Sequence, residues 1–367
     1  MDFHNKPFDD ETILKLEIFR GYTREWLPVF LSKRTFSSVN IFDYFAGPGK
    51  DSHGQEGSPL ILIEEIKKYL DNPFLPVADV SIRLFLNDAD NRKVLSLQNE
   101  IDSTACDFLD VEITNEEFQD AFEGSKSVLK SSSAAKLLIL DQSGVKQITS
   151  DIFKQLVNLP ATDFMFFISS SFLKRFITTK EVGQHHPDLS AEDIRSVPPT
   201  DVHRFVCKYY EKILPSNKEF YLAPFSIKKG PNIYGIIFGT GVLYGLEKFL
   251  KVCWDNDKVS GEANYDIDDD MVRHGETLFE ELNTSKKIDF FEKQLVDFLQ
   301  DFRDNAELYK FTLENGCLPK HTKKLLDGLK NSKRLLTDPA DTRKGSYYLT
   351  WEYYKKREIK AKFRVIR

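Results

Sequence analysis

Between residues 39 and 170, short runs of apolar residues alternate with segments of helical spacing, and no other feature restricts the fold so tightly. The apolar runs are VNIFDYF (39–45), SIRLFLN (81–87), CDFLDVEI (106–113), AKLLILD (135–141) and DFMFFISS (163–170). Between them lie LILIEEIKKYL after Ser58-Pro59, then DNRKVLSLQNEI (90–101), NEEFQDAFEGSKSVLK (115–130) and QITSDIFKQLVN (147–158). Strands that are apolar on both faces and separated by helices belong in a parallel sheet covered on both sides. The expected fold class is α/β, a Rossmann-like sheet with helices on both faces. A further helix is expected over 11–33, and Ser58 is expected to cap the helix that begins at Pro59. KEFYLAPFSIK and NIYGIIFGT, separated by Lys229-Gly230-Pro231, read as a hairpin that adds antiparallel strands. A polar, proline-bearing insertion at about 171–217 precedes them.

The C-terminal part reads as separate. DNAELYKFTLENG is a helix stopped by Asn315-Gly316, and PKHTKKLLDGLKNSKR is a second, basic helix. SYYLTWEYY (346–354) and IKAKFRVIR (359–367) then read as strands, which is the order of a winged-helix domain. The expected domains are an α/β domain over 1–260, a helical connector over 261–300 and a winged-helix-like basic domain over 301–367. Charge follows this division. The chain carries 51 Lys+Arg and 57 Asp+Glu, but residues 306–367 hold 16 of the former and 7 of the latter. An acidic body with a basic tail points to an anionic partner, nucleic acid, at the C-terminal end. The contacts are assigned to Lys320, Lys323, Lys324, Lys330, Lys333 and Arg334 of the basic helix, and to Lys360, Lys362 and Arg364 on one face of the last strand. Whether the nucleic acid is DNA or RNA stays open.

The first strand runs into DYFAGPG, residues 43–49. A Walker A loop is excluded, because Gly49-Lys50 is followed by Asp51 and no glycine stands five residues earlier. A dinucleotide fingerprint is excluded too, since the third glycine is absent from its place. What remains is strand, Asp, aromatic, Gly-x-Gly, loop, helix, the first-motif arrangement of an S-adenosylmethionine methyltransferase. On this reading Asp43, Phe45, Ala46, Gly47 and Gly49 hold the cofactor. Asp88, after the second strand, accepts the ribose hydroxyls, and Glu117 or a nearby backbone group, after the third, reaches the adenine amine.

The segments FDYFAGPGKDSHGQEGSPLIL, LNDADNRKVLSL, LLILDQSGVKQI and ELYKFTLENGCLPKHTKKLLDGLKNSKRLL resemble the three-Cys-motif partner family, TcmP. The resemblance runs from about Leu14 to the basic C-terminal domain. It implies a class I methyltransferase domain, a winged-helix-like element and a partner protein with a cysteine cluster of radical-SAM type. The family-like fourth-strand pattern is Asp-Pro-aromatic-Gly, and this chain has Asp141-Gln142-Ser143-Gly144. Asp141 and Gly144 stand in register, while the proline and the stacking aromatic are gone. Asp141 is the residue expected to orient an acceptor amine and Gln142 to bond a base edge; the competing role for Asp141 is capping the next helix.

Two further clusters are weaker. His185-His186 with Asp188 reads as a polar loop, and DIDDD (266–270) lacks the glycine and terminal glutamate of a calcium loop. No metal is expected. Cys106, Cys207, Cys253 and Cys317 are dispersed, reading as reduced thiols of a cytoplasmic protein. The N-terminus has no signal-peptide pattern and no apolar run is long enough to cross a bilayer. The functional expectation is a methyltransferase acting on nucleic acid at a base amine. The alternative is a non-catalytic nucleic-acid-binding or scaffolding subunit that keeps the fold.

Overall fold

The computed structural model describes residues 7–142, 145–270, 285–340 and 346–366. Two compact units divide the chain, Met1–Gly241 and Val242–Arg367.

In the first unit α1 (Asp10–Leu31) leads into β1 (Ser38–Asp43), α2 (Ser58–Leu70), β2 (Ser81–Asn87), α3 (Asn91–Asp102) and β3 (Asp110–Thr114). Then follow α4 (Phe118–Gly124), α5 (Lys126–Leu129), β4 (Ala134–Leu140), α6 (Ser150–Asn158) and β5 (Thr162–Ile168). The connection to the last strands holds α7 (Ser170–Phe176), α8 (Lys180–Gly183), α9 (Ala191–Ser196) and α10 (Val202–Lys212). A hairpin of β6 (Tyr221–Lys229) and β7 (Asn232–Thr240) ends the unit.

The seven strands lie in the order β3-β2-β1-β4-β5-β7-β6, with β7 antiparallel to both neighbours and the first five parallel. This is a Rossmann-like methyltransferase sheet with helices on both faces. The order runs outward from β1 to β3, then returns to β4 on the other side of β1. The crevice between the carboxyl ends of β1 and β4 is therefore the switch point, where ligands of such sheets bind.

Burial explains the elements. All seven residues of β4 are buried, as the continuous apolar run requires for a central strand. Lys136 shares that strand; its Nζ reaches the Ser131 carbonyl at the amino end, and burial pushes the ammonium down to about 8. On α1, Phe19, Tyr22 and Trp26 pack in the core, and the Tyr22 hydroxyl donates to Asp163 Oδ2 at 2.8 Å.

Several boundaries differ from the sequence reading. Gly57, not Ser58, is the N-cap of α2. Residues 106–109 form a turn, closed by the Leu109 N–H on the Cys106 carbonyl, so the third strand starts at Asp110. The helix expected over 115–130 breaks at Ser125 into α4 and α5. The insertion expected to be polar contains α10, which buries Val206, Tyr209 and Tyr210. His203 on α10 bridges Ser170 Oγ and the Ile236 carbonyl, and Gly235 leaves room for its ring.

The second unit contains α11 (Leu243–Asn256), α12 (Lys286–Phe298), β8 (Arg303–Asp304), α13 (Asn305–Glu314), α14 (Pro319–Asn331), β9 (Leu335–Asp338), α15 (Trp351–Lys355) and β10 (Lys362–Val365). Its strands form an antiparallel sheet in the order β8-β10-β9. The strand expected over 346–354 is instead coil followed by α15. Trp351 and Tyr354 fall a helical turn apart and stack at 5.8 Å, a spacing that a strand would send to opposite faces. The last strand, β10, pairs instead with β8 and β9, and β9 begins at Leu335, directly after the segment expected as the basic helix.

Candidate functional site

The carboxyl edge of the sheet is built around Asn87, the last residue of β2. Its Nδ2 donates to the Tyr44 and Glu116 carbonyls, and its Oδ1 accepts from Thr114 Oγ1 and the Glu116 N–H. One buried amide thus ties the loop after β1 to the loop after β3. The loop after β1 is also held by backbone: the Tyr44 N–H donates to the Ile139 carbonyl and the Ala46 N–H to the Asn87 carbonyl.

Gly47 and Gly49 have φ of 67° and 89°, the left-handed region that favours glycine. A Cβ on Gly49 would also stand 3.3 Å from Glu100 Cβ and Leu97 Cδ1 of α3. The Gly47 N–H donates to Asp88 Oδ2 at 3.0 Å, and Asp88 Oδ1 accepts the Asp90 N–H at 2.9 Å. Asp88 does not cap α3; Asp90 does. Each Asp88 oxygen keeps a lone pair for a ligand hydroxyl.

Asp43 lies at the end of β1 with 1 % of its surface exposed. Its Oδ1 accepts the Phe45 N–H at 3.2 Å, and among the described residues its Oδ2 has no hydrogen-bond partner. Burial, with smaller contributions from the Asp141 and Asp88 charges, pushes this carboxyl up to about 7, against the opposing pull of the Ser58 hydroxyl and the Phe45 N–H. Three carboxylates therefore converge on the switch point, one of them with an uncommitted oxygen. Such a set suits a ligand that brings positive charge.

Asp141 follows β4 and lines a cleft together with Phe45, Ala46 and Gly49 of the loop and Thr12 and Lys15 of α1. It does not cap the next helix, since Thr149 caps α6. Its Oδ2 is ion-paired with the Lys15 ammonium, both side chains being mostly buried. Gln142 is buried, and its Oε1 accepts the Gln147 and Ile148 N–H groups, so the oxygen shapes the turn before α6. Its Nε2 has no partner among the described residues. Ser143 and Gly144 lie outside the described residues. Phe45 stacks on Phe118 at 5.3 Å. Glu117 is exposed at the N-cap of α4 and bonds no amide there.

Sequence reasoning missed Asn87, although it stood beside Asp88 in the same quoted segment. It also missed Lys15, which lies 126 residues from Asp141 and carries no local signal.

In the second unit, Lys320, Lys323, Lys324 and Lys330 share the exposed face of α14, opposite buried Thr322, Leu326 and Leu329. Lys333 and Arg334 follow, both exposed. Among the described residues none of these six cations has an ion-pair partner, nor does Lys362. Lys360 pairs with Glu358 at 2.5 Å, and Arg364 lies over the Phe302 ring at 4.7 Å. The N-terminus of α14 is anchored by His321, whose Nδ1 accepts the Leu318 N–H while its ring packs 4.2 Å from Trp254. Burial first, then the Lys320, Lys287 and Lys324 charges, push His321 down to about 4, so the ring is a neutral acceptor at pH 7.

His186 is buried and its Nε2 meets the Val145 carbonyl at 3.0 Å. Among the described residues no group of three or more His, Cys, Asp or Glu is placed to hold a metal ion. No described helix is long and apolar enough to cross a membrane.

No family model matches the chain, and no curated protein matches it. Several solved structures are similar to the chain at low identity. Trm1 from Pyrococcus horikoshii, solved with S-adenosyl-L-methionine, has 8 % identity over 66 % of this chain and 59 % of its own, with a TM-score of 0.37. TYW2 from M. jannaschii, in complex with AdoMet, has 12 % identity over 65 % of this chain and 78 % of its own, TM-score 0.31. The cyclopropane synthase MmaA2 from Mycobacterium tuberculosis has 11 % identity over 70 % and 74 %, TM-score 0.31. The fold rests on the strand order itself, not on likenesses this distant.

Proposed function

We propose that the chain is a methyltransferase that uses S-adenosylmethionine and acts on nucleic acid, with a base amine as the acceptor. The observation that carries the reading is the convergence of Asp43, Asp88 and Asp141 on a glycine loop at the switch point, with Asp43 Oδ2 left without a partner. The residues fit the cofactor. Asp88 offers acceptor positions to ribose hydroxyls, Asp43 offers a buried anion to an ammonium, and Gly47 and Gly49 open the backbone to close approach. Phe45 and Ala46 line the same cleft, and Glu117 is assigned to the adenine amine.

When bound, the cofactor supplies an electrophilic methyl group on a sulfonium. Asp141 then orients the acceptor amine and accepts its proton, and Gln142 contributes its unpartnered amide N–H to the acceptor base. The second unit supplies affinity. Its order from α12 onward of helix, strand, two helices, strand, short helix and strand, with the sheet β8-β10-β9, supports a winged-helix-like element. Lys320, Lys323, Lys324, Lys330, Lys333, Arg334, Lys360, Lys362 and Arg364 would contact phosphates. The four free cysteines support a cytoplasmic setting, and the sequence resemblance supports a cysteine-cluster partner.

One observation favours the alternative, a non-catalytic nucleic-acid-binding or scaffolding subunit: the Lys15 ammonium already holds Asp141. Calorimetric titration with S-adenosylmethionine and S-adenosylhomocysteine tests the choice. Saturable binding that Asp88→Ala removes supports the enzyme. No binding to the protein, alone or with nucleic acid, overturns it.

A further inference from the structure

The fourth strand ends without an aromatic residue, so residues 141–144 themselves offer no platform against which a planar acceptor would stack. The fold supplies one from the neighbouring strand. The last paired positions of β4 and β5 are Leu140 and Phe166, so Asp141 and Phe167 follow side by side at the carboxyl edge. Phe167 is the only half-exposed residue of β5, the other six being buried. Its ring lies parallel to that of Tyr234 on β7, with 5.7 Å between centroids and 3° between planes. The Lys15 ammonium sits over the Phe167 ring, 4.8 Å from its centroid, while it pairs with Asp141.

This is the geometry of an amine held between a carboxylate and an aromatic face. The other candidate aromatics near the loop are committed elsewhere. Tyr44 is 3 % exposed and packed among Phe42, Phe118 and Phe122, and Phe45 lines the cleft assigned to the cofactor. The start of α1 is tied down on both sides of the cleft. The Phe8 N–H donates to Asp51 Oδ2 in the glycine loop at 2.6 Å, and Asp9 pairs with Lys229 of β6. The helix thus holds Lys15 at the site.

We propose that Phe167 is the platform, and Asp141 the hydrogen-bond acceptor, of a subsite for a planar base bearing an exocyclic amine, and that Lys15 fills this subsite until such a base displaces it. The inference rests on the methyltransferase reading and narrows it. The acceptor is an amino-bearing ring; uracil has a ring N–H but no exocyclic amine to take the place of the ammonium at Asp141. Lys15 is a positioning residue, and its occupancy lowers the apparent affinity for the acceptor by the fraction of time that the subsite is closed.

The test measures binding of cytidine against uridine, and of guanosine against inosine, to the full chain and to Lys15→Met, Lys15→Arg and Lys15→Met/Phe167→Leu variants. Adenosine is left out because it would enter the cofactor pocket. Lys15→Met should bind cytidine, guanosine or both about tenfold more tightly than the unaltered protein, with uridine and inosine unchanged. Lys15→Arg should behave as the unaltered protein, and adding Phe167→Leu should remove the gain. Equal gains for uridine and inosine, or no gain with a cooperative thermal unfolding transition retained, would overturn the subsite and leave Lys15–Asp141 a structural ion pair. Titration of the same variants with S-adenosylmethionine separates the two readings. Cofactor binding without a nucleoside gain sinks the subsite alone, whereas absent cofactor binding in every variant sinks the cofactor reading whatever the nucleosides do.

Discussion

The carboxyl edge of the seven-stranded sheet and the exposed face of α14 treat charge in opposite ways. At the sheet edge the charges are carboxylates, largely removed from water, and most of their oxygens are already engaged: Asp88 by two backbone N–H groups, Asp141 by Lys15. On α14 the charges are lysines in full solvent, and among the described residues no carboxylate pairs with Lys320, Lys323, Lys324 or Lys330. The first arrangement fixes geometry and shifts protonation. The second fixes only a stripe of potential. Discrimination between small ligands belongs to the ordered edge, and salt-dependent affinity for a polyanion belongs to the unpartnered stripe.

The largest effect should come from the most engaged group. Asp88→Ala removes the acceptor for the Gly47 N–H as well as the proposed ribose contact. Affinity for S-adenosylmethionine is expected to fall on the order of 100-fold, as for a lost charged hydrogen-bond pair. Nucleic-acid affinity should stay unchanged. Loss of both in a folded variant would break the division of labour between the two regions.

Next in size is the converse experiment. Replacing Lys320, Lys323 and Lys324 by Ala should weaken nucleic-acid binding at least tenfold at moderate salt. It should also flatten the dependence of log affinity on log salt by about one for each lysine that contacts a phosphate. Cofactor titrations should not change. An unaltered salt slope would show that the stripe is only a solvated surface.

The two regions also differ in how far their sequences reveal them. The glycine loop is a local pattern, and Gly47 and Gly49 do adopt the backbone that only glycine accepts readily. The lysine face of α14 follows from helical spacing alone, with Leu326 and Leu329 on the buried side and Leu325 half-buried. β1, β4 and β5 were legible because both of their faces are buried. What stayed hidden is long-range or small. The partnership of Lys15 with Asp141 joins α1 to the end of β4, and the nearness of Phe167 to Asp141 depends on the pairing of β4 with β5. β8 and β9 are too short to leave a period-2 pattern, and the aromatic segment 346–354 was read as a strand because β propensity ignores the tertiary packing of Trp351 and Tyr354.

A smaller effect, on stability, sharpens the account of the sheet edge. Gly49→Ala places a Cβ at φ 89° and within 3.3 Å of α3, which should cost about 1 to 2 kcal/mol. The lowered thermal midpoint should come with weaker cofactor binding. A destabilised protein that binds normally would show that the loop backbone does not touch the ligand.

The remaining effect concerns protons, and its size depends on pH. Asp43 is held at about 7 when folded, against an ordinary value of 3.8, so the folded protein binds a proton that the unfolded chain has released between those limits. Stability from this group therefore falls as pH rises from about 4 to about 7 and is flat above, and Asp163, raised by burial to about 6, adds to the fall in the same direction. Asp43→Asn should flatten part of that slope in denaturant titrations, and at pH 8 the variant should be the more stable protein, by an amount that linkage limits to roughly 4 kcal/mol. The same substitution should weaken cofactor binding most at high pH, where the native carboxylate is ionised and can meet an ammonium. A variant that gains stability and loses binding would identify the unpartnered Oδ2 as strain kept for a ligand. One that gains stability with binding intact would leave Asp43 as a buried carboxyl serving neither, and would shift the cofactor's anchor to Asp88 alone.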